Sequence, residues 1–477
     1  MKPAALATPR DMGKTAGEQR KEQIGTDMAN ALILLAAGQG TRMNSDLPKV
    51  LHQIGNAPLF AHALASGAAL DPVRTVLVVG HGGDRVAAEA AKIDEGIVVA
   101  RQEEQLGTAH AVLQARETLG DFEGDVFVLY GDTPFISGET VLRMAEARRT
   151  ADVVVLGFDA ADPARYGRLV TEGDRLTRIV EYKDASPAER AITLCNSGLV
   201  AADAGVLFDL LEQVGNDNAA GEYYLPDIVD IAWKTGRSAT AVSCDEAETL
   251  GVNTRAELAR AEAIFQTAKR AEALETGVTL TAPETVFFSL DTYVGRDAVV
   301  EPHVVFGPGV TVESEAHIRA FSHLEGCHVS MGATVGPFAR LRPGAELANN
   351  AHVGNFVEVK NAQIGEGTKV NHLTYIGDAE IGDGTNVGAG TITCNYDGVF
   401  KHRTVVGRNA FIGSNTMLVA PVTVGDEAMT ASGSVITSDV EAGALAIGRA
   451  RQVNKPMLAV RMFEKLKSLK AKKQKGQ

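Results

Sequence analysis

Two groups of residues in this chain have the types and spacing to do chemistry. The first follows a strand-like apolar run, Ala31-Leu-Ile-Leu-Leu-Ala-Ala37, which leads at once into Gly38-Gln-Gly-Thr-Arg-Met43 and then Leu47-Pro-Lys49. Glycines directly after a strand let backbone N–H groups approach phosphate oxygens closely. The third glycine of a dinucleotide fingerprint would fall at Met43, and the loop is not a Walker loop either. A glycine pair alone marks a tight turn more often than a ligand site. Arg42 and Lys49, the latter set by Pro48, change that reading, because two cations and a glycine loop on one βα turn are what a triphosphate needs. Asp132 closes another apolar run, Val126-Phe-Val-Leu-Tyr-Gly-Asp132-Thr-Pro134, at the strand end where α/β sheets put their ligands. A hard carboxylate there suits Mg²⁺, which takes few protein ligands plus substrate phosphates. The plainer alternative is a cap on the turn before Pro134.

The second group consists of polar residues that interrupt a repeat: Arg340, Arg342, Lys360, His372, Tyr375 and Asn386. From Val294 to Ile436 an aliphatic residue recurs every six positions, with a small residue usually four further on. That period fits neither a helix nor an alternating strand. It predicts a parallel β-helix of three short strands per turn, with the aliphatics stacked inside. The glycine that often follows the aliphatic, as at Gly295, Gly354 and Gly388, is expected to ease the bend. Residues ~18 apart then share a face, which sets Arg342 beside Lys360 and brings His372 and Asn386 near. The insertion Thr393-Cys-Asn-Tyr-Asp-Gly-Val-Phe-Lys-His-Arg403 breaks the repeat and can reach over a neighbouring subunit. A lone histidine in a repeat is usually structural. His372 beside Arg342, Lys360, Tyr375 and the Asn395-Tyr396 loop is harder to read that way.

The elements that position the first group alternate: a helical pattern over Ala57–Leu70, strands at Thr75–Val79 and Ile97–Ala100, and an amphipathic helix after Thr108, with Thr108 as its N-cap. This predicts an α/β, Rossmann-like domain with a mixed, mostly parallel sheet flanked by helices. Residues 255–277 read as one long connecting helix ending at Gly277. The expected organisation is an unstructured extension over 1–30, with Met28 an alternative start to Met1, a first domain over 31–254, the connecting helix, a β-helix domain over 278–450 and a tail over 451–477. In the tail, Met457, Met462, Phe463, Leu466 and Leu469 stand at roughly helical spacing among lysines, within a segment read mainly as solvated.

A chain of 477 residues exceeds one hydrophobic core. Its net charge of −14 argues against a general binder of nucleic acid or anionic membranes. Cys195, Cys244, Cys327 and Cys394 lie far apart and suggest neither a zinc site nor a disulfide framework, which suits a reducing cytoplasm. No apolar run approaches the ~20 residues of a membrane span.

The repeat resembles the hexapeptide-repeat left-handed β-helix, whose members are mostly acyltransferases working as trimers. The handedness comes from that resemblance, since the usual crossover rule predicts the opposite hand. Leu35-Ala-Ala-Gly-Gln-Gly-Thr-Arg-Met43 with Pro48-Lys49 resembles the signature loop of sugar-nucleotide pyrophosphorylases, although Gln39 stands where some relatives carry lysine. Together they resemble, over residues 31–450, the bifunctional family that fuses N-acetylglucosamine-1-phosphate uridylyltransferase to glucosamine-1-phosphate N-acetyltransferase and makes UDP-N-acetylglucosamine for peptidoglycan and lipopolysaccharide.

The resemblance implies that Leu35, Gly38, Lys49, Gln102, Gly107 and Thr108 serve UTP, with Gln102, Gly107 and Thr108 at the uracil. It assigns Gly167, Glu181 and Asn196 to the sugar, and Asp132 and Asn253 to Mg²⁺. In the second domain it gives Arg342, Lys360, Tyr375, Asn386, Asn395 and Tyr396 to the sugar phosphate. Ala389, with its N–H facing the oxyanion, falls with Ser414, Ser432 and Arg449 to acetyl-CoA; Ser432 replaces the alanine of some relatives. An amino sugar is largely ammonium at neutral pH, so His372 would take a proton as the amine attacks acetyl-CoA directly. The implied partners are UTP, glucosamine-1-phosphate, acetyl-CoA and two further copies of the chain. Two other readings stay open: a pyrophosphorylase whose β-helix only regulates or assembles, and a non-catalytic scaffold.

Overall fold

The computed structural model describes residues 28–475 apart from residue 165, so the extension expected over 1–30 lies, up to residue 27, outside the described residues. The chain divides into two compact units between Ala268 and Lys269.

An uncharged run of leucine, isoleucine and alanine must be covered on both faces. It forms β1 (Asn30–Ala36), buried throughout. The other strands are β2 (Arg74–Val79), β3 (Val98–Arg101), β4 (Asp125–Tyr130), β5 (Val153–Asp159), β6 (Arg168–Glu172), β7 (Arg175–Val180), β8 (Leu194–Asp203) and β9 (Ala239–Cys244). The sheet order is β9-β5-β8-β4-β1-β2-β3, with β6 paired to β8 and β7. β1 runs parallel to β2 and β4, whereas β8 runs antiparallel to both β4 and β5. The sheet is therefore mixed. Parallel β1 and β4 deliver the Gly38 loop and Asp132 to one edge, and β8 carries Asn196 to the start of β6.

Three expected helices differ in detail. Ala57-Pro58 pairs with Gln53-Ile54 as a hairpin, so the first helix starts at Leu59 and ends at Gly67, followed by a 3-10 turn. The helix after Gly107 comes in two pieces, Thr108–Leu113 and Ala115–Leu119. The long helix spans Arg255–Glu275. Its first half is core of the first unit: Ala261, Phe265 and Gln266 are buried. The Phe265 ring meets His62 edge-on at 5.5 Å, and Glu262 accepts the Gly55 N–H at 2.8 Å.

The second unit is a left-handed parallel β-helix. Val300, Ile318, Val335, Val353, Val370, Val387, Ile412 and Thr430 are register partners in one continuous inward column. The coils begin before Val294, because Thr279-Leu280 already pairs with Val299-Val300. At Gly295 and Gly388 the glycine after the aliphatic is not the residue that turns the chain: left-handed backbone falls two residues later, on Asp297 with φ of 63° and Gly390 with φ of 76°, whereas Gly336 is itself left-handed with φ of 97°. A Cβ on Gly295 would lie 2.6 Å from the Ser314 nitrogen, and one on Gly388 2.5 Å from the Ser414 nitrogen. Those glycines admit the backbone of the next coil. A final helix spans Leu458–Lys475, with Met462, Phe463, Leu466 and Leu469 exposed.

None of the helices described is long and apolar enough to cross a membrane, and all four cysteines are free.

Candidate functional site

In the first unit the glycine loop, the Asp132 turn and the segment before the long helix meet. Gly40 has φ of 63°, and a Cβ there would come within 2.5 Å of the Lys49 Cβ, so glycine lets Lys49 pack under the loop. Nothing lies within 4 Å of where a Cβ on Gly38 would point. The Lys49 ammonium pairs with the Asp132 carboxylate and donates to Asn253 Oδ1 at 3.1 Å. Arg42 donates to the same oxygen at 2.8 Å. Asn253 is held in turn: Glu257 accepts its N–H at 2.7 Å, and the Val252 N–H bonds the Asp132 carbonyl at 2.9 Å. Arg42, Lys49, Asp132 and Asn253 thus form one cluster.

The second part of this site lies across a cavity of about 300 Å³ whose lining includes Tyr130, Asp132, Tyr166, Asn196 and Asn253. The Asn196 N–H bonds the Gly167 carbonyl at 2.9 Å, and a Cβ on Gly167 would lie 3.0 Å from Glu181 Oε1. Gly167, Glu181 and Asn196 therefore converge. Burial raises the Glu181 pKa, and nearby Asp227 and Asp184 add to that. Arg168 beside them is buried, and its guanidinium donates to the carbonyls of Pro163, Ala164, Tyr166 and Arg190 and so pins the loop.

The third part is the 102–108 loop. Gln102 donates to the Gly107 carbonyl at 3.1 Å. Gly107 adopts φ of 119° and serves as the helix N-cap, so Thr108 is the first helical residue and not the cap expected. Its hydroxyl instead accepts the Leu225 N–H at 2.9 Å. The segment Gly221–Asp227, which had no expected role, closes this loop: the Tyr223 carbonyl takes the Ala109 N–H and its N–H bonds Leu106. Gln105 ties the loop to the Ala37 carbonyl at 2.7 Å. Sequence patterning gave no signal for Gln105 or Tyr223, because their partners are distant along the chain. Glu257 was legible as the last residue of a Thr254-to-Glu257 capping box, in which Glu257 accepts the Thr254 N–H at 2.9 Å and donates its own N–H to the Thr254 hydroxyl at 3.2 Å. Leu35 is buried in the core, and its carbonyl already accepts the Gly131 N–H at 2.9 Å.

In the β-helix the register Leu341↔Val359 sets Arg342 beside Lys360, and Lys360 pairs with Gly377. Arg342 donates to Glu358 at 2.8 Å. A side chain on Gly377 would run into the Tyr375 hydroxyl, which places that hydroxyl over the coil position next to Lys360. Lys401 within hydrogen-bond reach lowers the Lys360 pKa, with desolvation adding to it. His372 aligns with Asn355, whose Oδ1 is 2.7 Å from His372 Nδ1. The His372 carbonyl accepts the Gly390 N–H at 3.2 Å, which sets Ala389 next to it. Asn386 lies on the same face, paired with Lys369. Ala389, Ser414 and Ser432 follow on successive coils through the Asn415 N–H to Ala389 and the Gly433 N–H to Ser414, and Arg449 reaches to within 3.8 Å of a Cβ on Gly433.

The insertion behaves differently. Asn395 donates to Asp378, which also takes Asn361 at 2.6 Å. Tyr396 is 60% exposed, and its hydroxyl donates to the Gly398 carbonyl at 2.6 Å within its own hairpin. Among the described residues no hydrogen bond joins either to His372.

Comparison with known proteins adds the following. A model described as a MobA-like NTP transferase domain matches residues 32–192, and one described as a bacterial transferase hexapeptide (six repeats) matches residues 403–438. A protein of Ruegeria sp. (strain TM1040) named "Bifunctional protein GlmU" is 68% identical over 94% of this chain and 100% of its own length. Its namesake in Jannaschia sp. (strain CCS1) is 64% identical over 93% of this chain and 98% of its own length. The protein of that name in Ruegeria pomeroyi is 68% identical over 94% and 100% respectively.

Proposed function

The chain belongs to the bifunctional GlmU family, whose two activities make UDP-N-acetylglucosamine, and from that premise we propose how its residues divide the work. The carrying observation is the convergence of Arg42, Lys49, Asp132 and Asn253 at the carboxyl edge of the sheet.

The family uses a divalent metal, and we take it to be Mg²⁺. The donor set fits. Asp132 offers a charged oxygen and Asn253 a neutral one, both aimed at a single cationic point, and a hard ion that keeps phosphate and water ligands needs no more from the protein. When bound, the ion neutralises phosphate charge. The protein's own residues do the rest. Gln102, Gly107 and Thr108 hold the uracil, while Gly167, Glu181 and Asn196 hold N-acetylglucosamine-1-phosphate. Arg42 and Lys49 line up the triphosphate so that the sugar phosphate oxygen attacks the α-phosphorus and pyrophosphate leaves. Positioning and charge stabilisation suffice for this displacement. Leu35 contributes through its backbone, since its side chain is core.

For acetyl transfer, Arg342, Lys360 and Tyr375 hold the phosphate of glucosamine-1-phosphate and Asn386 its sugar. His372 removes a proton from the amine, which attacks the thioester carbonyl, and the Ala389 N–H faces the oxyanion before coenzyme A departs. Ser414, Ser432 and Arg449 hold the coenzyme along successive coils. Asn395 and Tyr396 complete the site of a neighbouring chain in a homotrimer. Supporting that assembly, His303, Phe321, Phe338 and Phe356 stack along one corner of the β-helix at centroid distances of 4.8–5.4 Å, the three phenylalanines about half exposed. An exposed apolar ladder of this kind calls for a partner surface. We place the enzyme in the cytoplasm with its small-molecule substrates.

The test is incubation with glucosamine-1-phosphate, acetyl-CoA, UTP and Mg²⁺, followed by product identification. Formation of UDP-N-acetylglucosamine is expected. Uridylyl transfer without acetyl transfer would leave the β-helix an assembly module. Co-assembly of a His372→Ala chain with an Asn395→Ala chain should restore part of the acetyl transfer each lacks alone; no recovery in a mixed trimer would confine each site to one chain.

A further inference from the structure

Lys49 has two claims on it. The triphosphate needs its charge, yet in the structure its ammonium pairs with Asp132 and lies 3.1 Å from Asn253 Oδ1. Those are the two oxygens assigned above to the metal. The pair is well shielded, with the Lys49 and Asp132 side chains 12% and 21% exposed. Gly40 leaves space for the lysine stem, and Pro48 fixes the chain just before it. The lysine is thus built into this position by its loop. An ammonium in hydrogen-bond contact with both donors takes up their lone pairs and repels a second cation brought to the same point.

We propose that Lys49 competes with the divalent metal for Asp132 and Asn253, and that the nucleotide phosphate ends the competition by drawing Lys49 to itself. This rests on the metal-site reading given above. The charge on Asp132 is then met in both states, by lysine before the nucleotide binds and by the metal afterwards. Arg42, which shares Asn253 at 2.8 Å, keeps that amide oriented through the exchange. Metal and nucleotide binding become strongly coupled, each raising the affinity of the other, as linkage requires.

The experiment measures Mn²⁺ binding to the full chain by electron paramagnetic resonance, first without nucleotide and then with UTP. Wild-type protein is expected to bind weakly alone and much more tightly with UTP. Lys49→Met should bind Mn²⁺ without nucleotide roughly ten-fold tighter than wild type, the scale of a shielded charge contact, and should gain less from UTP. Lys49→Gln should do the same, and Lys49→Arg, which keeps the charge, should stay weak. Circular dichroism and a melting curve on each preparation, compared with wild type, report that the first unit is folded. Nucleotide-free binding by Lys49→Met and Lys49→Gln no tighter than wild type, with Asp132→Asn still removing the UTP-dependent signal, would overturn the competition and leave the metal site standing. Unchanged Mn²⁺ binding in Asp132→Asn, with or without UTP, would remove the metal site and the inference with it.

Discussion

Replacing His372 with alanine should separate chemistry from folding within one unit. The side chain is exposed, and among the described residues its one hydrogen bond is the 2.7 Å contact of Nδ1 with Asn355 Oδ1. The bonds that shape the backbone here survive the substitution, because they use the His372 carbonyl, to the Thr374 hydroxyl at 2.7 Å and the Gly390 N–H at 3.2 Å. The cost in stability is therefore that of one exposed hydrogen bond, ~1 kcal/mol or less. Loss of a general base is far larger, ~10²–10⁴-fold in rate, or about 3–5 kcal/mol in the barrier. Asn355→Ala keeps the imidazole but frees it to turn, so its acetyl transfer should fall only about 5-fold, the worth of ~1 kcal/mol. Thiol release from acetyl-CoA with glucosamine-1-phosphate measures one reaction, and pyrophosphate release from UTP with N-acetylglucosamine-1-phosphate measures the other. Both are run on the same preparation. Acetyl transfer within a few-fold of wild type in a folded His372→Ala protein would refute the general-base role. A parallel fall in uridylyl transfer would refute the independence of the two sites.

Lys49→Ala should lower uridylyl transfer by ~10²-fold or more while leaving acetyl transfer alone, the size expected for a charge contact made at the reacting phosphates; normal uridylyl transfer removes Lys49 from the site. Asp132→Asn should shift the metal dependence of uridylyl transfer to higher concentration, and an unchanged titration curve would make Asp132 a turn residue only. A chain ending at residue 268 should be more heat-stable than one ending at 254, because only the longer one keeps Phe265 and the Glu262 bond to Gly55; the buried ring alone is worth about 2–3 kcal/mol, and equal melting temperatures would refute this packing. Burial, helped by Asp230 and Asp184, pushes the Asp227 carboxyl up to about 6. A carboxyl raised on folding stabilises at low pH and loses that contribution as pH rises through its folded value. Asp227→Asn should thus raise Tm near pH 8, with the gain fading by about pH 4; a gain independent of pH would count against the shift.

The six-residue period determined the β-helix outright, because each inward aliphatic must stack on the one a coil below, and a coil of this cross-section has no other way to fill its interior. The same constraint made Arg342 and Lys360 neighbours, and both facts could be read without coordinates. The glycine loop with Lys49 and the Asp132 strand end were legible for a similar reason, since a strand's direction sets where its loop emerges. What the local pattern could not carry was the reach between distant segments. Asn253 stands 211 residues from Arg42 and 204 from Lys49, yet it accepts from both. Tyr223 closes the loop before Ala109 through backbone bonds that no side-chain pattern announces. Thr108 has the residue type of an N-cap, but the turn at Gly107 places it inside the helix, where its hydroxyl serves Leu225. The glycines after the aliphatics were visible in sequence, but their reason was the closeness of the next coil's backbone. Residue type and periodicity express what the nearby backbone permits, whereas which distant groups share a hydrogen bond is decided by how the sheet and coils bring their loops to one edge.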